Sequence, residues 1–524
     1  MERTEFTKDD SLIIKGLAIL AIMLHNFFRW VEPTTGENEF GFAAHTVHRF
    51  TEQLTAQPQE FINIIFSYLG HFGVQLFILI SGYGLTKSML SKPQSWGEFM
   101  GSRLKKIYPL LIVAILTFAI ANLIIFKQMP ALGDWREIGR KMLLIHTLIP
   151  GSGVSVCGPW WFFGLIVQLY ILFPIILGLT QRHGTKILAG TMVISYLWIM
   201  TALFLYDHDP GFVLAMQNVP GHLPEFCFGI WQALRHDTCL SRWWLIPALA
   251  VFTLGNFFEP FYPFTFLAVS IVFVITYNIV HKPITRFAAV RRPLAFLGSI
   301  SMFLFAVHGF LRQPFFGIDA TPNAATSLLA ATLFIATSIA VAMAMRPFYK
   351  LIVRLFDKIK TPTWLPKAEK YLMGGTLLLL GFACYHQATT PFFHKNIELT
   401  QNEDNNNTLF ITEDTITTEN LYTTIARIKL GRTNHIKLSV DVEVDSQQTP
   451  ADQLPLLVAD ITGIFWDKCY MPETHGFQQV HYETIIQCPF IYHFNKKTLK
   501  LYFWNINGAT IRFRKAKVKI DYQK

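Results

Sequence analysis

The sequence predicts a polytopic α-helical membrane protein, with about ten core helices and an eleventh linking helix, followed by an extracytoplasmic all-β, sandwich-like domain. Three observations predict it. Hydrophobic residues make up 52% of the 524 and charged ones only 15%, with 47 Phe, which is too apolar for a soluble domain. Apolar runs of about 20 residues, each long enough to cross a bilayer, recur along the first three quarters of the chain. From about Thr390 onward those runs shorten and alternate with polar residues, the mark of half-buried strands.

The start, MERTEFTKDD, carries both charge signs, and no small-residue cleavage site follows the first apolar run, so that run is expected to remain as a span. Spans are expected near 12–30, 61–84, 105–126, 160–180, 187–206, 221–234, 243–257, 264–281, 295–312, 326–345 and 370–387. Lys and Arg set the orientation. With a cytoplasmic N-terminus, the cytoplasmic segments hold roughly 22 of them, including Lys87, Lys92, Lys105, Arg291 and Arg292, against about 7 on the opposite side. Lys127 to Lys141 is basic yet falls outside, and its WREIGRKMLLIH reads as an amphipathic surface helix. The implied division is a membrane domain over 1–350, a basic cytoplasmic loop and eleventh helix over 351–389, and a β domain over 390–524.

In that last segment, IKLSVDVEV, LPLLVADITG, TLKLYFW and ATIRFRKAKVKIDY alternate with Asn, Asp and Gly at the turns, as antiparallel strands do. Its charges roughly balance, so the formal +10 belongs to the membrane part and reflects loops against anionic lipid, with no nucleic-acid implication. Cys157, Cys227, Cys239 and Cys384 lie in or beside spans and read as small apolar side chains. Cys469 and Cys488 fall in the exported domain, where a disulfide is permitted. With no C-x-x-C pair and no His cluster at zinc spacing, a metal site has no support.

Ionisable groups within spans are rare and mark sites or pathways. His25 is the most telling, since a helix from Leu12 carries its imidazole about 20 Å into the bilayer. Polar residues concentrate at Lys15 and His25 on the first span, Gln75 and Ser81 on the second, Trp160, Trp161 and Gln168 on the fourth, and Glu225 on the sixth. Gln and Ser in spans commonly satisfy a neighbouring helix, and Trp near a span end commonly anchors the interface. A carboxylate such as Glu225 costs several kcal/mol in hydrocarbon unless paired or protonated. His308, near the ninth span's outer end, raises the same question.

Six ordered motifs resemble the acyltransferase 3 family of membrane O-acyltransferases: KGLAILAIMLH, FGVQLFILISGYGL, RLKKIYP, WWFFGLIVQLYILFP, LPEFCFGI and LGSISMFLFAVHGF, together covering residues 11 to about 345. One departure stands out. Ile14 occupies the place at which the family commonly has its basic residue, and Lys15 lies one residue nearer the histidine, about 80° round the helix.

The resemblance implies a multi-pass enzyme of the bacterial cytoplasmic membrane that moves an acyl group, acetyl by the family pattern, from cytoplasmic acyl-CoA to a hydroxyl of an envelope polysaccharide or lipid-linked glycan. Such transfer needs a base near the hydroxyl, donors for the carbonyl oxyanion and cations for the phosphates. His25 is the candidate base, or the group that carries the acyl covalently. Lys15, Arg103 and Lys106 are the candidate donor-binding cations. Glu225 is placed to orient His25 or contact the acceptor, and Ser81, Trp160, Trp161, Gln168 and His308 are candidate substrate contacts. No metal is implied.

Some family members carry a serine hydrolase-like domain after an eleventh span, but residues 390–524 contain neither a Gly-Asp-Ser block nor a late Asp-x-x-His. The domain reads instead as a β-sandwich whose Trp466, Tyr470, Tyr492 and Trp504 either bind glycan or fill its core. The competing class is a secondary transporter of a small solute with an extracytoplasmic glycan-binding domain. That class should show internal repeats with matched broken helices, and the two halves show no such similarity.

Overall fold

The computed structural model describes residues 5–523 apart from 34, 43, 128, 131, 150–151, 207–215, 236–239, 319–322, 359–364, 390–393, 399–407, 410–414, 419–421, 431–434, 447–448, 450–453, 462–464, 488–497 and 506–508. The chain forms two compact units, one of residues 1–148 and 153–388 and one of residues 149–152 and 389–524.

The first unit is helical, with a helix at each of the eleven expected places. They are α1 (Lys8–Phe28), α3 (Phe61–Leu69) running through a 3₁₀ turn at Gly70–Phe72 into α4 (Gly73–Ser91), α5 (Trp96–Phe126), α7 (Trp161–His183) and α8 (Lys186–Tyr206). Then come α9 (Val219–Leu234), α10 (Leu245–Phe257), α11 (Thr265–Arg286), α12 (Ala288–Leu311), α13 (Ala324–Asp357) and α14 (Leu365–Thr389). Two short polar helices, α2 (Ala44–Ala56) and α6 (Leu132–Met142), lie between spans, and α6 falls where the amphipathic surface helix was expected.

Among the described residues seven helical stretches are long and apolar enough to cross a membrane by themselves. Helices α9 and α10 fall short of that measure. At 1.5 Å per residue, the 16 residues of α9 and 13 of α10 reach only about 24 Å and 20 Å.

Helix α1 organises the bundle. Thr7 caps it by accepting from the Asp10 amide, while Asp10 accepts from the Thr7 amide, a reciprocal capping box. The Asp10 carboxylate is buried, and its Oδ1 accepts from the Tyr277 hydroxyl at 2.9 Å and lies 2.9 Å from Nε2 of His281. Both partners come from α11, so the start of α1 is fixed by charge-assisted contacts. Along its length α1 meets α12 backbone to backbone. A Cβ on Gly16 would sit 2.0 Å from the Leu294 carbonyl oxygen, and one on Gly298 would sit 1.8 Å from that of Leu12. Small residues permit this approach, and in lipid the resulting van der Waals contact is what holds helices together. At the other end Phe27 is fully buried and stacks on Phe334 of α13 at 5.3 Å.

The second unit is a sandwich of two five-stranded antiparallel sheets. One has the order β1-β10-β5-β8 with β3 also on β10, and the other β2-β4-β9-β6-β7. The strands involved are β1 (His394–Glu398), β2 (Thr408–Leu409), β3 (Ile416–Thr418), β4 (Tyr422–Lys429), β5 (His435–Asp445), β6 (Leu456–Ile461), β7 (Phe465–Tyr470), β8 (Gln478–Gln487), β9 (Thr498–Trp504) and β10 (Ile511–Gln523). Alternation sets the register, with Ile436, Leu438, Val440, Val442 and Val444 of β5 all turned inward against Leu457, Leu499, Leu501 and Phe503 of the other sheet.

Cys488 and Tyr492 lie outside the described residues, as do the Cys469–Cys488 pairing and the side chain of Trp466. Tyr470 is exposed, with Nζ of Lys468 4.7 Å from its ring centre, whereas Trp504 is half-buried. Cys157 and Cys227 are buried, Cys239 lies outside the described residues, and so does the Cys384 side chain.

Candidate active site

His25 sits in the last turn of α1, and so near the end of its span rather than at mid-depth. Its ring is buried against the break between α3 and α4. The break allows this because Gly70 has no side chain: a Cβ there would lie 2.7 Å from the Cβ of His25. Nδ1 of His25 is 3.2 Å from the Phe66 carbonyl oxygen, which makes it the donor nitrogen, and the His71 ring stands edge-on at 5.5 Å.

The opposite nitrogen meets a carboxylate that sequence reading did not bring forward. Nε2 of His25 is 2.6 Å from an oxygen of Glu37, close but outside good hydrogen-bond geometry. The other oxygen of Glu37 is 2.6 Å from Nη1 of Arg29, one turn after His25, and the same nitrogen is 3.9 Å from Glu39. Burial by itself raises the Glu37 carboxyl, but Arg29 and then His25 more than reverse this and hold it at about 2. Glu39 goes the other way, raised to about 8 by burial and then by the negative charge of Glu37. The pair thus keeps one proton at neutral pH, carried on Glu39.

Ligand-type atoms of His25, Glu37 and Glu39 lie within 4.8 Å of one another, the grouping among the described residues best suited to a metal ion. The Arg29 guanidinium already supplies positive charge to both carboxylates, which competes with a cation there. Arg312, just beyond α12, donates from Nη1 to the backbone and side-chain oxygens of Asn26 at 3.1 and 3.3 Å. It carries a second guanidinium to the same end of α1.

A cavity of about 540 Å³ opens among α1, α4, α5, α7 and α12. Lys15, Ser81, Arg103 and Lys106 all line it, together with Tyr170 and Ser299. Lys15 faces this space while Ile14 is buried elsewhere in the core. Arg103 lies with its guanidinium 4.9 Å from the Phe99 ring centre and 6.0 Å from that of Tyr170, and its Nε is buried without a hydrogen-bond partner. A buried donor left unmet is costly and suits an anionic ligand.

The other sequence candidates go elsewhere. Glu225 does not meet His25: its Oε1 is 2.7 Å from Nδ1 of His222, one turn earlier on α9, because the i, i+3 spacing puts both on one helix face. His222 is itself stacked between Trp161 and Phe266, each at 5.6 Å. Trp161 therefore covers the buried His222–Glu225 contact rather than the cavity. Trp160 donates from its indole to the Ala306 carbonyl at 2.8 Å. Gln168 is consumed by structure, donating to Thr147 and Asn218 and accepting from the Val219 amide. His308 donates from Nδ1 to carbonyls of its own helix at 3.0 and 3.1 Å, leaving Nε2 buried without a partner beside the Phe305 ring.

Sequence reading missed Glu37, Glu39, Arg29, His71 and Arg312. The signal available was the i, i+4 pair of His25 and Arg29 and the acidic ENE that follows the first span.

No curated protein and no solved structure matches the chain. A family model described as an acyltransferase domain matches residues 12–346, which contain the His25 cluster and every cavity residue named above. The chain, with its apolar membrane-crossing helices, belongs to the acyltransferase 3 family and is a membrane acyltransferase.

Proposed function

We propose that this protein transfers a short acyl group, acetyl by family resemblance, from acyl-CoA to a hydroxyl of an envelope polysaccharide or lipid-linked glycan. The observation that carries the reading is the shared cavity of Lys15, Arg103 and Lys106. Three cations converging with serine and tyrosine hydroxyls suit the phosphates of a coenzyme A thioester. The donor enters from the cytoplasm in the proposed orientation, with the N-terminus inside and the β domain outside.

In the proposed reaction the acceptor oxygen attacks the thioester carbonyl, the carbon–sulfur bond breaks and the hydroxyl proton passes to the departing thiolate. His25 handles that proton, and Glu37 stabilises its imidazolium form while Arg29 holds Glu37 in place. In the resting arrangement both ring nitrogens face oxygen, so the acceptor hydroxyl enters between Nε2 and Glu37 when it binds, with Glu37 still held beside the ring by Arg29. The exported sandwich then serves to hold or present the glycan.

The test is deletion of the gene followed by analysis of envelope glycans for ester groups. Loss of esters, restored by wild type and not by His25→Ala, is expected. Unchanged esters on deletion overturn the acceptor class, and full restoration by His25→Ala overturns the role of His25.

A further inference from the structure

The donor cavity has two unlike ends. Helix α4 runs along it from Phe77 to Ser88, a depth of about 16 Å at 1.5 Å per residue. Helices α1, α5 and α12 present Lys15, Arg103, Lys106 and Ser299 toward the end where α4 finishes. Phe77, Phe162 and Phe305 come from the opposite parts of α4, α7 and α12, and they line the other end.

These rings form a packed wall. Phe305 lies 5.1 Å from Phe162 and 6.5 Å from Phe77, centre to centre, and on its other side 5.7 Å from His308. Only 7% of Phe305 is exposed, so the ring has little room to move without displacing its neighbours. His25 is not among the cavity-lining residues. It lies about 15 Å beyond Lys15 along α1, past the aromatic end, so the thioester of a donor held by its phosphates is the part that comes nearest to it.

We propose that Phe305, braced by Phe77 and Phe162, is the end stop of the donor cavity and restricts the transferred group to short acyl chains. This rests on the acyl-CoA reading above. With the phosphates held at the basic end, the pantetheine arm runs along the cavity and the thioester arrives at the aromatic wall. An acetyl group ends there, while each further methylene must push against packed rings. One methylene too many in a tight apolar pocket costs about 10- to 200-fold in discrimination.

The experiment measures dissociation constants of free CoA, acetyl-CoA, butanoyl-CoA and hexanoyl-CoA on the full-length protein in lipid nanodiscs, each acyl-CoA normalised to free CoA on the same protein. Wild type is expected to bind hexanoyl-CoA at least tenfold more weakly than acetyl-CoA, and Phe305→Ala is expected to remove that penalty. If wild type shows no penalty, or Phe305→Ala keeps the whole of it, the end stop is overturned while the acyl-CoA reading stands. Failure of wild type to bind CoA in any form overturns the acyl-CoA reading itself. Should Phe305→Ala not be recovered folded, Phe162→Leu is scored by the same ratio, and an unchanged penalty there overturns the proposal.

Discussion

Glu37 bridges His25 of α1 and Arg29 at its exit: one carboxylate oxygen lies 2.6 Å from Nε2 of His25 and the other 2.6 Å from Nη1 of Arg29. The bridge holds the carboxylate against the imidazole. Replacing Glu37 with Gln keeps the shape and removes the charge, so ester formation in membranes should fall by about 100-fold or more, the scale of a general acid–base contribution. A Glu37→Gln variant with wild-type turnover would remove the carboxylate from the mechanism.

The neighbouring carboxyl predicts a pH effect with a definite sign. Glu39 is raised from its usual 4.5 to about 8 by burial and then by Glu37. Between those values the unfolded chain ionises at this position and the folded chain does not, so folding loses stability as pH rises across that window and no more above about 8. Glu37, lowered to about 2, contributes stability that is present above 4.5 and lost only as pH falls through 2. Thermal unfolding of the detergent-solubilised protein from pH 5 to 9 should therefore show a decline toward about pH 8 that Glu39→Gln flattens. An identical decline in the variant would reject the shared-proton arrangement.

Much of the helical architecture was legible because lipid demands long apolar runs, and much of the sandwich because its strands alternate with period two. The cavity was legible in part. Lys15, Ser81, Arg103 and Lys106 are found together because each belongs to a motif on a helix that lines it. The His25 cluster was not, because Glu37 and Glu39 sit on a connecting segment whose path no periodicity predicts. Glu225 misled for a related reason. Its charge called for a partner, and that partner was His222, three residues away, rather than the more conspicuous His25.

The cations of the cavity should act on donor binding more than on chemistry. Arg103→Ala and Lys106→Ala each remove a charge-assisted contact worth about 1.5–3 kcal/mol, so each should raise the KM for acetyl-CoA roughly tenfold or more. The effect should shrink at high salt for Lys106, which is exposed, and less for the half-buried Arg103. Steady-state kinetics at two ionic strengths separate this from a loss of kcat, which would assign the cations to the reacting end instead.

The contact of α1 with α12 predicts a steep contrast between two glycines of the cavity wall. Gly298→Ala puts a methyl 1.8 Å from the Leu12 carbonyl oxygen, and the helices must separate to admit it. Gly84, which also lines the cavity, has nothing within 4 Å of its would-be Cβ. Gly298→Ala should lower the midpoint of thermal unfolding sharply and weaken CoA binding, whereas Gly84→Ala should leave the fold intact. Equal stability of the two variants would mean that α1 and α12 are not locked at this crossing.

The buried pair on α9 separates a structural role from a catalytic one. Both ring nitrogens of His222 face oxygen, Nδ1 at 2.7 Å from Glu225 and Nε2 at 2.8 Å from the Met216 carbonyl. Glu225 is fully buried, and removing one member of such a pair strands the other at a cost of about 3–5 kcal/mol. Glu225→Ala should therefore abolish folded protein or lower its unfolding midpoint by many degrees. Glu225→Gln preserves an acceptor oxygen for Nδ1 and should be recovered folded, with at least a tenth of wild-type ester formation. If Glu225→Gln is instead as stable as wild type and inactive, the carboxylate takes part in the reaction, and His222 with its flanking Trp161 and Phe266 would mark a second substrate-facing surface.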